Sequence, residues 1–396
     1  MYYLTRTHHK ISKNRGLFRA IYFVTLLLSL HYVLVVYINS TFLDTFTTEK
    51  VVGLLYTAGS IGMIVTFLNI ARILKRIGNY RLMLILTVLE IGVLLGLAFS
   101  TQFLIIIPLF IAHLVIAPLL LYNLDLFLES LSEDATTGNT RGIFLTVINT
   151  AFVIAPLIVG LILTNGDFWK IYLLSALFLI PLFIIVFTTF RKFKKESYDR
   201  IAIIETTKLF WKNSNCHHIF FVNFFLHFFY AWMVIYLPIY LYEHLLFSWK
   251  EIGIMFAIML LPFVLLEIPL GKIADKKLGE KELLIIGFII AGIFSITLSL
   301  IPSKDFLLWS VLLFVTRIGA SAIEIMSESY FFKQVTQHDS DLIAFFRIAR
   351  PLAFVVAPVI GSLILIFLPF SYLFSILGII LITFGIYYSA RIKDTH

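Results

Sequence analysis

Twelve long apolar runs, each close to the length that crosses a bilayer, constrain this chain more than any other feature of its sequence. A hydrocarbon core about 30 Å thick takes roughly 20 apolar residues per helix. Water does not reach that core, so each crossing segment must satisfy its own backbone, as a helix or inside a closed barrel. The runs lack strand alternation, so an all-α membrane protein is expected. Its spans fall near residues 18–38 (span 1), 51–75 (span 2), 80–99 (span 3), 103–127 (span 4), 142–164 (span 5), 168–189 (span 6), 217–242 (span 7), 250–271 (span 8), 282–301 (span 9), 306–331 (span 10), 342–367 (span 11) and 370–390 (span 12).

Composition agrees. The chain is 60% hydrophobic and 14% charged, with 40 Phe in 396 residues. A soluble domain carries about a quarter charged residues, so this one could not cover its surface in water. Its single cysteine, Cys216, excludes a disulfide framework and a multi-cysteine zinc site. Five basic residues, Arg6, Lys10, Lys13, Arg15 and Arg19, precede the first apolar run. A signal peptide has that order too, but this run is longer and lacks a small-residue cleavage site, so it reads as a retained first span.

The formal charge of +8 need not mean nucleic acid. With the N-terminus inside, the inner segments hold 26 Lys and Arg and the outer loops hold four, Lys50, Lys170, Lys250 and Lys304. Basic residues favour the cytoplasmic side, so both termini are expected there. The one left over, Arg317, lies deep inside span 10. The longest loop, 191–216, divides an N-terminal bundle (1–190) from a C-terminal one (217–396).

The halves repeat. Asp125 and Glu129 near the end of span 4 match Glu324 and Glu328 in span 10, shifted by 199. Ala155-Pro156-Leu-Ile-Val-Gly160 in span 5 matches Ala357-Pro358-Val-Ile-Gly361 in span 11. Ala71-Arg72-Ile-Leu-Lys75-Arg76-Ile-Gly78 matches Gly271-Lys272-Ile-Ala-Asp275-Lys276-Lys277-Leu278-Gly279. Three matches at nearly one offset indicate twelve transmembrane helices in two six-helix pseudo-repeats.

Two such repeats, a charged central loop and inward termini resemble the major facilitator superfamily over essentially the whole chain. The loop after span 8 is similar to that family's Gly-x-x-x-Asp-Arg/Lys signature, with one extra residue between Asp275 and Gly279. The copy after span 2 is degenerate, with Ala71 and Lys75 in place of Gly and Asp. The resemblance implies a cavity among spans 1, 4, 7 and 10, and bundles that rock to expose it to each side in turn.

Against that layout, Arg317 is the sharpest candidate. It lies about eleven residues into span 10, roughly 16 Å deep at 1.5 Å per residue. A charge at that depth costs several kcal/mol and normally faces a bundle interior. It suits an anionic group on a substrate, or else a structural pairing. His31, His113 and His227 fall midway along spans 1, 4 and 7, with Asn223 and Tyr230 flanking His227, and on the implied layout they would meet the cavity. Histidine titrates near neutral pH, though a lone intramembrane histidine also serves as a packing residue. Glu90, deep in span 3, suits a proton site because an ionised carboxyl there is expensive. The implied layout makes span 3 peripheral, which favours a local polar contact.

The pairs Asp125/Glu129 and Glu324/Glu328 each share a helix face. With Arg72, Lys75, Arg76, Lys276, Arg347 and Arg350, and the loop residues Gly271, Asp275 and Gly279, they would form cytoplasmic ion clusters stabilising one gate state. Plain interfacial pairing is the alternative. Pro156, Gly160, Pro358 and Gly361 would serve packing or bending. No phosphate-binding loop, clustered nucleophile or short metal-ligand spacing is present, so neither an enzyme nor a cofactor or metal is expected.

The reading is a monomeric secondary transporter that moves a small solute by alternating access, coupled to protons, in the inner membrane of a bacterium. A transporter-like sensor without transport and an ion-independent facilitator stay open. The substrate is not readable.

Overall fold

A computed structural model describes residues 2–129, 137–164, 166–192, 214–266, 269–270, 279–334 and 346–393. The described residues are helical throughout, without strands. Among the described residues, eleven helices are long and apolar enough to cross a membrane. The twelfth expected crossing, span 8, is the 17-residue helix Trp249–Leu265, whose expected continuation runs partly outside the described residues. The loop residues Gly271, Asp275 and Lys276, and most of the central loop, also lie outside them.

Span 1 is a helix over Tyr2–Val36 that breaks at Tyr37 and Ile38 and resumes as the short helix Asn39–Asp44. Span 2 covers Glu49–Ile77, span 3 Asn79–Phe99, span 4 Phe103–Glu129, span 5 Thr137–Ile162 and span 6 Phe168–Thr189. Span 7 runs over Ser214–Ile239 and ends in a π-helical turn, Tyr240–His244. Span 9 is Glu280–Ser299, span 10 Phe306–Gln334 and span 11 Ala349–Phe367. Span 12, Tyr372–Arg391, contains a second π-helical turn at Leu381–Gly385.

The chain forms two compact units, and their boundaries cut across spans 1, 2 and 5. The first comprises Met1–Val36, Gly62–Ala155 and Asn165–Asp199. Within it, span 6 packs on spans 1 and 3, and span 4 packs on spans 3 and 1. The second comprises Tyr37–Ile61, Pro156–Thr164 and Arg200–His396. It therefore carries one end of spans 1, 2 and 5, the end that the charge asymmetry puts outside, together with the C-terminal spans.

Lipid offers helices no hydrophobic drive toward one another, so close backbone approach and van der Waals packing hold them. Glycines supply the approach. A Cβ on Gly287 of span 9 would lie 2.9 Å from the Gly319 carbonyl of span 10. One on Gly292 would lie 2.9 Å from the Gly378 carbonyl of span 12. Large apolar side chains such as Leu104, Leu161, Leu307 and Phe367 are exposed, as a lipid-facing surface requires. Span 7 is the most enclosed helix. Its Trp232 donates to the Ala357 carbonyl at 2.6 Å, and its Tyr236 to the Pro358 carbonyl at 3.0 Å, both on span 11.

Span 8 starts with a capping box. Ser248 Oγ accepts from the Glu251 amide at 3.3 Å, and the Glu251 carboxylate accepts from the Ser248 amide at 2.8 Å. Losing such a cap costs about 1 kcal/mol. Ser248→Ala is therefore expected to lower Tm by about 2 °C in a thermal melt of the purified protein, with activity kept.

Candidate functional site

Buried polar groups collect at two places inside the spans. The first lies in the N-terminal half, within the first unit. Glu90 of span 3 is fully buried, and its Oε1 is 2.5 Å from His113 Nδ1 of span 4. The same oxygen is 3.5 Å from Nε2 of the buried His31, on span 1. His31 Nδ1 is 2.7 Å from Ser175 Oγ on span 6. Four spans thus contribute to one cluster, in which His31 and His113 reach the Glu90 carboxyl and Ser175 reaches His31. The sequence reading put His31 and His113 on the cavity and kept Glu90 apart, with a local polar contact as its alternative role. The structure makes the three one cluster and adds Ser175.

A signal for part of this was available. Glu90 stands nine residues before the end of span 3 at Phe99, and His113 ten residues after the start of span 4 at Phe103. Antiparallel neighbours joined by a short turn place such positions at equal depth. Nothing comparable announced Ser175.

The second place lies within the second unit. Arg317 of span 10 is 2% exposed, yet its Nε and Nη1 have no hydrogen-bond partner among the described residues. The guanidinium carbon sits 4.7 Å from the Phe229 ring centre and 5.5 Å from that of Tyr230, both on span 7. Ring faces attract a cation but accept no full hydrogen bond. Tyr230 donates to Glu324 Oε2 at 2.7 Å, so Glu324 stands beside this site. Glu324 follows Arg317 by two helical turns on span 10, roughly 10 Å along the axis. His227, one turn from Tyr230, has its ring 5.7 Å away and a buried Nδ1 without a partner among the described residues. Asn223 is buried further along the same helix. Phe229 was not singled out as a partner for Arg317, because contacts between helices 88 residues apart leave no local pattern.

The other expected residues fall as follows. Arg72 donates to Asn69 at 2.9 Å on its own helix. Lys75, Arg76 and Asp125 lie near the ends of spans 2 and 4, and Glu328, Arg347 and Arg350 near the ends of spans 10 and 11. Glu129 closes span 4, its side chain outside the described residues. Gly279 is the N-cap of span 9. Next to it the buried Glu280 pairs with Lys333 and accepts from Ser329 of span 10 at 3.2 Å, an ionic contact the sequence did not point to.

A third feature concerns packing. In the second unit, a Cβ on Gly253 of span 8 would lie 2.4 Å from the Pro156 carbonyl and 2.9 Å from Gly160 Cα. A Cβ on Gly53 of span 2 would meet Ser362 Oγ at 2.3 Å and Tyr236 at 2.4 Å. Ser362 also donates to the Lys50 carbonyl at 2.8 Å. Gly361 of span 11 lies against the Tyr236 ring. His244 and Glu49 pair at 2.6 Å near the same end. The ends of spans 2 and 5 are thereby sealed against spans 7, 8 and 11.

Comparison with known proteins fits this architecture. The family description "Major Facilitator Superfamily" matches residues 21–249 and 219–395. A peptide-bound POT family transporter superposes with TM-score 0.78 at 14% identity, covering 96% of this chain and 97% of its own. The nucleoside transporter NupG gives 0.73 at 11%, covering 95% and 99%. A bacterial homologue of the human lysosomal transporter Spinster, inward-facing and unoccupied, gives 0.73 at 11%, covering 96% and 95%. No curated protein matches by sequence. Two six-helix repeats read from the sequence, eleven apolar spans in the structure and a family match over nearly the whole length lead to one assignment: the chain belongs to the major facilitator superfamily of membrane transporters.

Proposed function

We propose that this transporter carries a small anionic solute by alternating access and couples its movement to protons. The observation that carries the reading is a pair of buried ionisable sites, one in each half. The C-terminal half keeps a guanidinium with two donors unpartnered among the described residues. The N-terminal half keeps a carboxyl against two imidazoles. A buried ion whose donors are not all satisfied is expensive, and a solute carboxylate or phosphate would offset that cost when bound. A buried carboxyl–imidazole cluster changes charge by binding a proton, which is what coupling needs. The charge asymmetry favours cytoplasmic termini.

The test is pH change inside proteoliposomes on addition of a solute panel. Solute-dependent proton movement is expected for the wild type. Glu90→Gln, which keeps the shape but removes the charge, should lower that movement at least tenfold. Uptake of labelled solute without any proton movement in the wild type would leave a facilitator and remove the coupling.

A further inference from the structure

Two contacts of Ser175 bear on the state of one imidazole. Ser175 Oγ lies 3.0 Å from the His31 backbone carbonyl, which can only accept, so its single hydrogen belongs there. The same oxygen lies 2.7 Å from His31 Nδ1. With the hydroxyl hydrogen spent, that contact is a hydrogen bond only if Nδ1 carries a hydrogen and Ser175 accepts it. On that assignment neutral His31 is the Nδ1–H tautomer, with a bare lone pair at Nε2. That Nε2 is buried, without a hydrogen-bond partner among the described residues, and 3.5 Å from Glu90 Oε1.

Glu90 Oε1 already shares a hydrogen with His113 Nδ1 at 2.5 Å. A neutral His113 supplies that hydrogen, so the bond needs no added proton. The cluster of ionised Glu90 and two neutral imidazoles then carries one net negative charge. It also sets a nitrogen lone pair against a carboxylate oxygen in a dry interior. One hydron placed between Nε2 and Oε1 cures both faults.

We propose that the gap between His31 Nε2 and Glu90 Oε1 is the proton-binding site of this transporter. Glu90 supplies the counter-charge, and Ser175 holds the His31 ring with Nε2 facing it. The inference deepens the proton-coupled reading above and rests on it. On uptake a hydron leaves hydronium, an N–H bond forms at Nε2, and the cluster passes from one negative charge to neutral. The titratable groups in contact with His31 are Glu90 from span 3 and His113 from span 4, and span 6 contributes the Ser175 hydroxyl. His113 acts as a positioning residue for Glu90.

Nitrogen NMR on the full chain in lipid nanodiscs, labelled with ¹⁵N-histidine, reads both ring nitrogens directly. The His31 signals are those absent from His31→Gln. The expected result is an Nδ1–H tautomer at high pH that gains a hydrogen at Nε2 as pH falls. Glu90→Gln removes the counter-charge, so the midpoint should fall by about one to three pH units. A neutral Nε2–H tautomer at high pH, or a midpoint unmoved in Glu90→Gln, overturns the proposal. If Glu90→Gln does not fold, Ser175→Ala keeps the question open to measurement. It should release the neutral ring from pure Nδ1–H, and an unchanged tautomer would overturn the argument. The proteoliposome assay separates the two readings. Titration as described without solute-dependent proton movement removes coupling and leaves the site. Proton movement that survives in His31→Gln leaves coupling and removes the site.

Discussion

Arg317→Met is expected to leave the protein at least as heat-stable as the wild type while uptake of its anionic solutes falls a hundredfold or more. The two effects have separate causes. The guanidinium is buried with Nε and Nη1 unpartnered among the described residues; it lies over the faces of Phe229 and Tyr230, with Glu324 beside the site. Removing a buried guanidinium whose donors are left unpartnered relieves a desolvation cost of several kcal/mol, against which stands the lost attraction to Glu324. Tyr230 keeps its bond to Glu324 in the variant, so the neighbouring helix stays anchored. A bound anion, by contrast, loses two charge-assisted hydrogen bonds of about 1.5–3 kcal/mol each, and each 1.4 kcal/mol is about tenfold in affinity. Arg317→Lys should recover only part of the uptake, because an ammonium lacks the planar fork and stacks less well on the rings. Thermal melts and labelled uptake on the same preparation check the pair. A Tm that falls together with uptake would make Arg317 a structural residue.

The second large effect is expected at the glycine seam. Gly253→Ala should reduce transport roughly ten- to a hundredfold without loss of expression. The added carbon would meet the Pro156 carbonyl at 2.4 Å and Gly160 Cα and N at 2.9 and 3.1 Å, all backbone. Backbone cannot swing aside as a side chain can, so spans 5 and 8 must separate. Overpacking of this kind costs about 1–3 kcal/mol, and that cost falls on the state in which this end is sealed. Gly92→Ala is the control, since a Cβ there meets nothing within 4 Å. Sealing can be followed through Thr57→Cys, at a position whose native hydroxyl reaches the Val355 carbonyl at 3.3 Å in the closed contact. With Cys216 replaced by Ser, Gly253→Ala should raise labelling of that cysteine by an impermeant thiol reagent. Unchanged labelling with unchanged transport would mean the seam relaxes locally and does not gate.

The paired ion His244–Glu49 near the same end belongs to a different scale. Both side chains are partly exposed, and such pairs contribute less than about 1 kcal/mol. The seam, not this pair, is expected to hold the contact closed.

By itself the sequence determined the crossings, the two repeats and the depth of Arg317 and Glu90. Each follows from position along a helix: an apolar run must span, a repeat offset is read by counting, and Arg317 is deep because apolar residues flank it on both sides. Depth also made Glu90 and His113 readable as level with one another across a short turn. What the sequence left undetermined was azimuth. In water an apolar stripe tells which face of a helix is buried. Here lipid and core are both apolar, so the spans are hydrophobic all round, and nothing marks which way a residue faces. Only the tertiary structure turned Glu90 of span 3 toward His31 and His113, and Arg317 onto Phe229 and Tyr230. It alone decided that Gly253 meets Gly160, because that contact is set by how two backbones cross, and a crossing leaves no trace in the order of residues along either one.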